Sequence, residues 1–117
     1  MSTPTSPVFD IHVVDAGDLV LLHARGELDL NTAPGLDRAL VPLHPRRCEL
    51  DFADVPFTDS TGINLLVRHH RLAADAGGSL RLIAVSRPVR RVLDISGTTD
   101  LLLATPEPPP PDDATGP

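Results

Sequence analysis

What most restricts the fold of this 117-residue chain is the order in which two hydrophobic rhythms alternate along it. Val8–Val14 sets Phe9, Ile11 and Val13 against Asp10 and His12, the period-two pattern of a half-buried strand. Asp15-Ala16-Gly17-Asp18 has turn chemistry. Leu19–Glu27 then resumes the alternation, with Val20, Leu22 and Ala24 opposite His23, Arg25 and Glu27. So short a connection joins the two segments into an antiparallel hairpin.

After the hairpin, helical spacing alternates with strands. Leu36, Ala39, Leu40 and Leu43 mark a first helix, with Asn31 or Thr32 as cap and Pro34 in its first turn. Pro42 should end or loosen it. Cys48–Ala53 is a third strand, with Cys48, Leu50 and Phe52 inward. Ser60–Ala76 is a second helix with Ile63, Leu66, Val67 and His70 on one face, closed by Gly77-Gly78. Leu80–Val85 is a fourth strand. Ser86-Arg87-Pro88 opens a short third helix through Val89, Val92 and Leu93, which stops before Gly97. Leu101–Leu103 reads as a short edge strand.

Crossovers that contain a helix join parallel strands, and right-handed crossovers collect the helices on one face. The expected fold is therefore α/β: a mixed four- to five-stranded sheet opened by an antiparallel hairpin, with helices packed on one face. The folded body spans residues 8–104. Residues 1–7 are small and polar and read as a flexible leader. Residues 105–117 (TPEPPPPDDATGP) have no large apolar side chain and read as a disordered, proline-rich acidic tail. No internal repeat is visible.

Composition narrows the function. All ten basic residues are Arg, aromatics make up 3% of the chain, and the formal net charge is −6. An acidic chain without stacking platforms is not built to bind nucleic acid. With no Lys there is no Walker A lysine and no Schiff-base lysine. A receiver domain of similar size needs a lysine near its last strand, so a phospho-aspartate site at Asp29 and Asp59 is disfavoured. The single Cys48 cannot form an internal disulfide, which suits a reduced, cytoplasmic setting, and it reads as a small core residue. No apolar run reaches the ~18 residues of a membrane span. His69 and His70 are adjacent, whereas two metal ligands on one helix face need a spacing of four; His70 reads as partly buried and His69 as solvated. No metal site and no cofactor are expected. Ser60 lacks the Gly-x-Ser-x-Gly setting of a hydrolase nucleophile, so the chain is not read as an enzyme.

Functional loops of such a sheet gather beyond the carboxyl ends of its parallel strands. Three segments lie there: Gly26-Glu27-Leu28-Asp29, Thr58-Asp59-Ser60-Thr61-Gly62 and Ser86-Arg87-Pro88. Ser60 at a helix start is an ordinary N-cap on one reading. On another, its hydroxyl sits where unsatisfied backbone N–H groups would accommodate a phosphate. Gly62 leaves the helix start without a side chain, which would let a partner approach. Arg87, Arg90 and Arg91 read as a solvated face of the third helix.

Taken in order, Gly26–Asp29, Val55–Ile63, Ala74–Leu80 and Val89–Leu93 resemble the STAS domain, and more closely the bacterial anti-sigma factor antagonists. The resemblance implies a phosphorylation-controlled partner switch. Ser60 would be the phosphoacceptor, and Asp29, Asp59, Thr61, Gly62 and Asn64 the surrounding docking surface. The implied partners are an anti-sigma factor that is also a serine kinase of the histidine-kinase-like ATPase fold, and a serine phosphatase. The unphosphorylated form would bind the kinase and release a sigma factor. A monomer or weak dimer is expected. Asn64 departs from the small residue usual at that place, which bears on which kinase fits. The alternative function is a STAS scaffold or accessory subunit of a sensory complex or ABC-type transport system without a phospho-switch.

Overall fold

The structure is a computed structural model that describes residues 9–103. The leader and tail expected at 1–7 and 105–117 lie outside the described residues. The elements are β1 (Phe9–Asp15), β2 (Leu19–Gly26), α1 (Ala33–Leu40) with a 3-10 turn at Val41–Leu43, β3 (Arg47–Asp54), α2 (Ser60–Asp75), β4 (Ser79–Val85), α3 (Arg87–Ser96) and α4 (Thr99–Leu102). The strands form one sheet in the order β1-β2-β3-β4. β1 pairs antiparallel with β2, while β2–β3 and β3–β4 are parallel. The expected hairpin and the helix-containing crossovers are thus both present.

One face of the sheet is dry. Val20, Leu22 and Ala24 of β2, Cys48, Leu50 and Phe52 of β3, and Leu80 and Leu82 of β4 are buried. Leu36 and Leu40 of α1, Ile63 and Leu66 of α2, and Val89 and Leu93 of α3 close over them. The other face is wetter: His23 sits between Asp51 (3.6 Å) and Asp54 (3.0 Å), and Arg25, Arg81 and Ile83 are exposed. That asymmetry is why the strands alternate in sequence.

Helix ends follow from local chemistry. Ser86 caps α3, accepting from the Val89 N–H at 3.4 Å while its hydroxyl donates to the Val55 carbonyl at 2.6 Å. Pro42 leaves the segment after α1 as a 3-10 turn, as expected for a residue that cannot donate into the helix. At Gly78 an added Cβ would run into the backbone of His44, Pro45 and Arg46. Only a residue without a side chain lets the end of α2 pass so close to the start of β3.

Three expectations are corrected. Leu101–Leu103 is not an edge strand: α4 takes Thr99–Leu102, and only Leu103 bridges to Leu82, so the sheet has four strands among the described residues. Three consecutive apolar residues carry no period, so burial alone does not separate helix from strand. Val13 does not join the core. It lies 46% exposed on the edge strand, while Phe9 and Ile11 pack against the core. Neither Asn31 nor Thr32 caps α1 by its side chain, for a reason that lies in the loop before it.

Candidate functional site

The loops after β2 and β3 are joined by backbone. Leu28 and Thr58 form an isolated parallel bridge. The Leu28 N–H donates to the Phe57 carbonyl at 3.0 Å, and the Asp59 N–H donates to the Leu28 carbonyl at 3.2 Å. Leu28 and Thr58 are buried. Asp29 and Asp59 each follow a bridged residue, so the two carboxylates stand on adjacent loops.

Each acid is already engaged. Asp29 Oδ1 accepts from the N–H groups of Asn31 (2.9 Å) and Thr32 (3.1 Å), closing the turn that enters α1. The Thr32 hydroxyl turns back instead, accepting from the Asp29 N–H (2.9 Å) and donating to the Glu27 carbonyl (2.8 Å). Asp59 is the N-cap of α2, with Oδ1 accepting from the Gly62 N–H at 3.1 Å. Ser60 is therefore the first residue of α2 and not its cap. It is exposed, and among the described residues its hydroxyl has no hydrogen-bond partner. The Ile63 N–H bonds to the Asp59 carbonyl. With Gly62 taken by Asp59, the Ser60 and Thr61 N–H groups are the first-turn donors left without a partner among the described residues.

Gly62 has an internal reason. A Cβ there would lie 2.8 and 2.9 Å from Leu28 Cγ and Cδ2, and would overlap Thr58 Oγ1. Its missing side chain faces inward, against the joined loops, and so does not open the helix start to a partner as expected. Thr61 is half-buried and Asn64 exposed on the first two turns of α2. Both line a groove between α1 and α2 of about 400 Å³, with Leu30, Pro34, Leu65 and Arg68 among its walls.

The sequence reading overlooked two apolar side chains on this surface. Leu30 is 69% exposed and Phe57 45% exposed, one on each joined loop. Single apolar residues in loops carry no periodic signal, and only the fold shows that the two loops carrying them are joined.

The histidine expectation is reversed in part. His69 is 1% exposed, with Nε2 2.6 Å from Asp37 Oδ1 and Nδ1 2.6 Å from His44 Nε2. Burial holds its pKa below the ordinary value, although Asp37 pulls it upward. His70 is partly buried as expected, with Nδ1 3.1 Å from the Leu80 carbonyl. Cys48 is buried and its thiol is pushed up to about 11, mainly by that burial, as suits a core residue. Arg87, Arg90 and Arg91 are exposed on α3. Among the described residues no cluster of three or more His, Cys, Asp or Glu is placed to hold a metal ion, and no helix is long and apolar enough to cross a membrane.

A mixed four-stranded sheet, helices over one face and two βα loops stapled into one platform define a STAS-type α/β module. The family described as "Mlab, STAS domain" matches residues 11–104, and the chain belongs to it. Among curated proteins it resembles the anti-sigma-B factor antagonist of Bacillus subtilis, 34% identical over 85 residues that span 71% of this chain and 78% of that one. Two solved structures share the fold. An anti-sigma factor antagonist from Mycobacterium paratuberculosis superposes with a TM-score of 0.71 at 24% identity, over 92% of each chain. The anti-sigma factor antagonist SpoIIAA in its unphosphorylated form gives 0.67 at 23% identity, over 83% of this chain and 90% of that one.

Proposed function

We propose that this protein is an anti-sigma factor antagonist whose docking surface is the joined β2–α1 and β3–α2 platform, and whose switch is phosphorylation of Ser60. The observation that carries the reading is an exposed Ser60 hydroxyl, without a partner among the described residues, at the first position of α2. Support also comes from the anti-sigma-B factor antagonist relative. Asp29, Asp59, Thr61 and Asn64 frame the surface, and Gly62 holds it in shape. The protein works by binding rather than catalysis, in the cytoplasm. Its partner is an anti-sigma factor that doubles as a serine kinase, and a serine phosphatase resets it.

In the kinase complex the Ser60 oxygen forms a bond to the γ-phosphorus of ATP. The bond from that phosphorus to the β–γ bridging oxygen breaks, ADP leaves, and the hydroxyl proton passes to a base of the kinase. The phosphate adds about −1.5 to −2 charge. The Ser60 and Thr61 N–H groups and the α2 dipole stabilise it in the free protein. In the complex it would be pressed against the partner beside the negative charge of Asp59, and desolvated. Such repulsion raises the dissociation constant about tenfold for each ~1.4 kcal/mol.

The test is incubation with the cognate kinase and Mg-ATP, read by intact mass. One added phosphate is expected on the wild type and none on Ser60→Ala. Ser60→Asp should bind the kinase at least ~10-fold more weakly. Efficient phosphorylation of the Ala variant, or an unchanged dissociation constant for the Asp variant, overturns the assignment.

A further inference from the structure

Asp37 of α1, His69 of α2 and His44, in the connection between the 3-10 turn and β3, meet in one hydrogen-bonded line. His69 is its centre, with a 2.6 Å contact on each ring nitrogen. The two imidazoles are tilted at 47° with centroids 4.9 Å apart. Arg68 Nη2 reaches the same Asp37 oxygen at 2.7 Å.

Donor and acceptor counting settles the protons. A carboxylate only accepts, so His69 must carry hydrogen on Nε2 and a lone pair on Nδ1. His44 must then carry hydrogen on its own Nε2 to fill the second gap. In this state each gap holds one proton and His69 is fully satisfied although buried. The charged and titratable groups acting on His69 are Asp37 from α1, His44 from the connection before β3, and Arg68 from α2 itself. Asp37 favours a charge on the ring, while burial, His44 and Arg68 oppose it.

We propose that Asp37, His69 and His44 form a proton-operated clasp that fixes α1 against α2. His44 Nδ1 lies outside both gaps, so one extra proton there leaves the N–H between the rings in place. A second proton sets two N–H donors facing each other across a 2.6 Å gap, with no acceptor between them, and the clasp opens. Asp37 and Arg68 also line the α1–α2 groove with Leu30, Thr61 and Asn64, so opening changes the shape of that groove. The clasp stands on its own geometry, whatever the groove binds.

The experiment uses the full chain labelled with ¹⁵N. Imidazole nitrogen shifts at pH 8 should show His69 as the Nε2–H tautomer, and on acidification His69 should stay neutral below the pH at which free imidazole is half protonated. Amide exchange in α1, corrected for its intrinsic pH dependence and referred to β3 amides, should rise about tenfold per pH unit once the second proton is linked to opening. His44→Gln keeps a donor toward His69 Nδ1 and can turn its carbonyl to a protonated ring, so its slope should be shallower than that of the wild type, with the burial of His69 and Arg68 left to oppose its charge. Three results overturn the proposal: an Nδ1–H tautomer at His69, α1 exchange that tracks β3 at every pH, or a wild-type slope in His44→Gln. The ring-nitrogen measurement is made on the wild type and decides the matter even where the variant does not fold.

Discussion

Gly62→Ala would place a methyl group where the two joined loops meet. The new Cβ would stand 2.8 Å from Leu28 Cγ and 2.9 Å from its Cδ2, and would overlap Thr58 Oγ1. Leu28 and Thr58 are both buried, so neither can swing into solvent. Overpacking of a closed site costs about 1–3 kcal/mol. Replacing a helical glycine by alanine returns about 1 kcal/mol. The net expectation is a loss of about 0–2 kcal/mol, against a gain at a glycine with open space around it. For a domain of this size that lowers the melting temperature by about 4–8 °C per kcal/mol. Gly35→Ala in α1 is the control: nothing lies within 4 Å of its added Cβ, and it should gain about 0.5–1 kcal/mol. Urea unfolding of both variants gives the comparison, and amide shifts should move around Leu28 and Thr58 together. A Gly62→Ala protein as stable as Gly35→Ala, with an unchanged denaturant slope, would refute the close-packing argument.

Further outcomes are specific to single groups. His69 is held below 6.5 in the folded protein, so its stabilising effect is complete above that pH and declines as pH falls toward the folded value. Urea titrations should show a slope of up to ~1.4 kcal/mol per pH unit there, which His69→Gln flattens. Ser86→Ala removes the α3 cap and leaves the Val55 carbonyl without its 2.6 Å donor, at a cost of about 1–2 kcal/mol by chemical denaturation. Asp59→Asn retains a side-chain acceptor for the Gly62 N–H and should unfold within ~0.5 kcal/mol of wild type, whereas Asp59→Ala should lose about 1 kcal/mol. A kinase-binding change in Asp59→Asn then reports charge alone.

The strand order, the hairpin and the three main helices were legible because each carries its own period. Val20, Leu22 and Ala24 alternate inward as their spacing requires, and Ser86 caps α3 where a serine before a proline should. Legibility ended where an answer depended on residues far apart in the chain. Leu65, His69 and Ala73 share one helix face, which is a signal that His69 is buried. Its partners Asp37 and His44, however, come from α1 and the connection after it, and no local pattern links them. The same holds for Gly62: its spacing marks a helix start, but only the approach of Leu28 shows which way the absent side chain would point. At α1, Asn31, Thr32 and Asp29 are all capping residue types, yet no side chain caps the helix: the Asp29 carboxylate closes the turn before it, at the Asn31 and Thr32 N–H groups.

The staple between Leu28 and Thr58 has a consequence for how such a surface can diversify. Its bonds run between main-chain groups, N–H to carbonyl, across the two loops. Apart from proline, a substitution at an exposed position leaves those groups in place. Leu30, Phe57, Ser60 and Asn64 can therefore change identity while the platform beneath them keeps its shape. If the platform is the docking surface proposed above, partner choice would rest on side chains that the scaffold does not depend on, and it could change without a new folding problem.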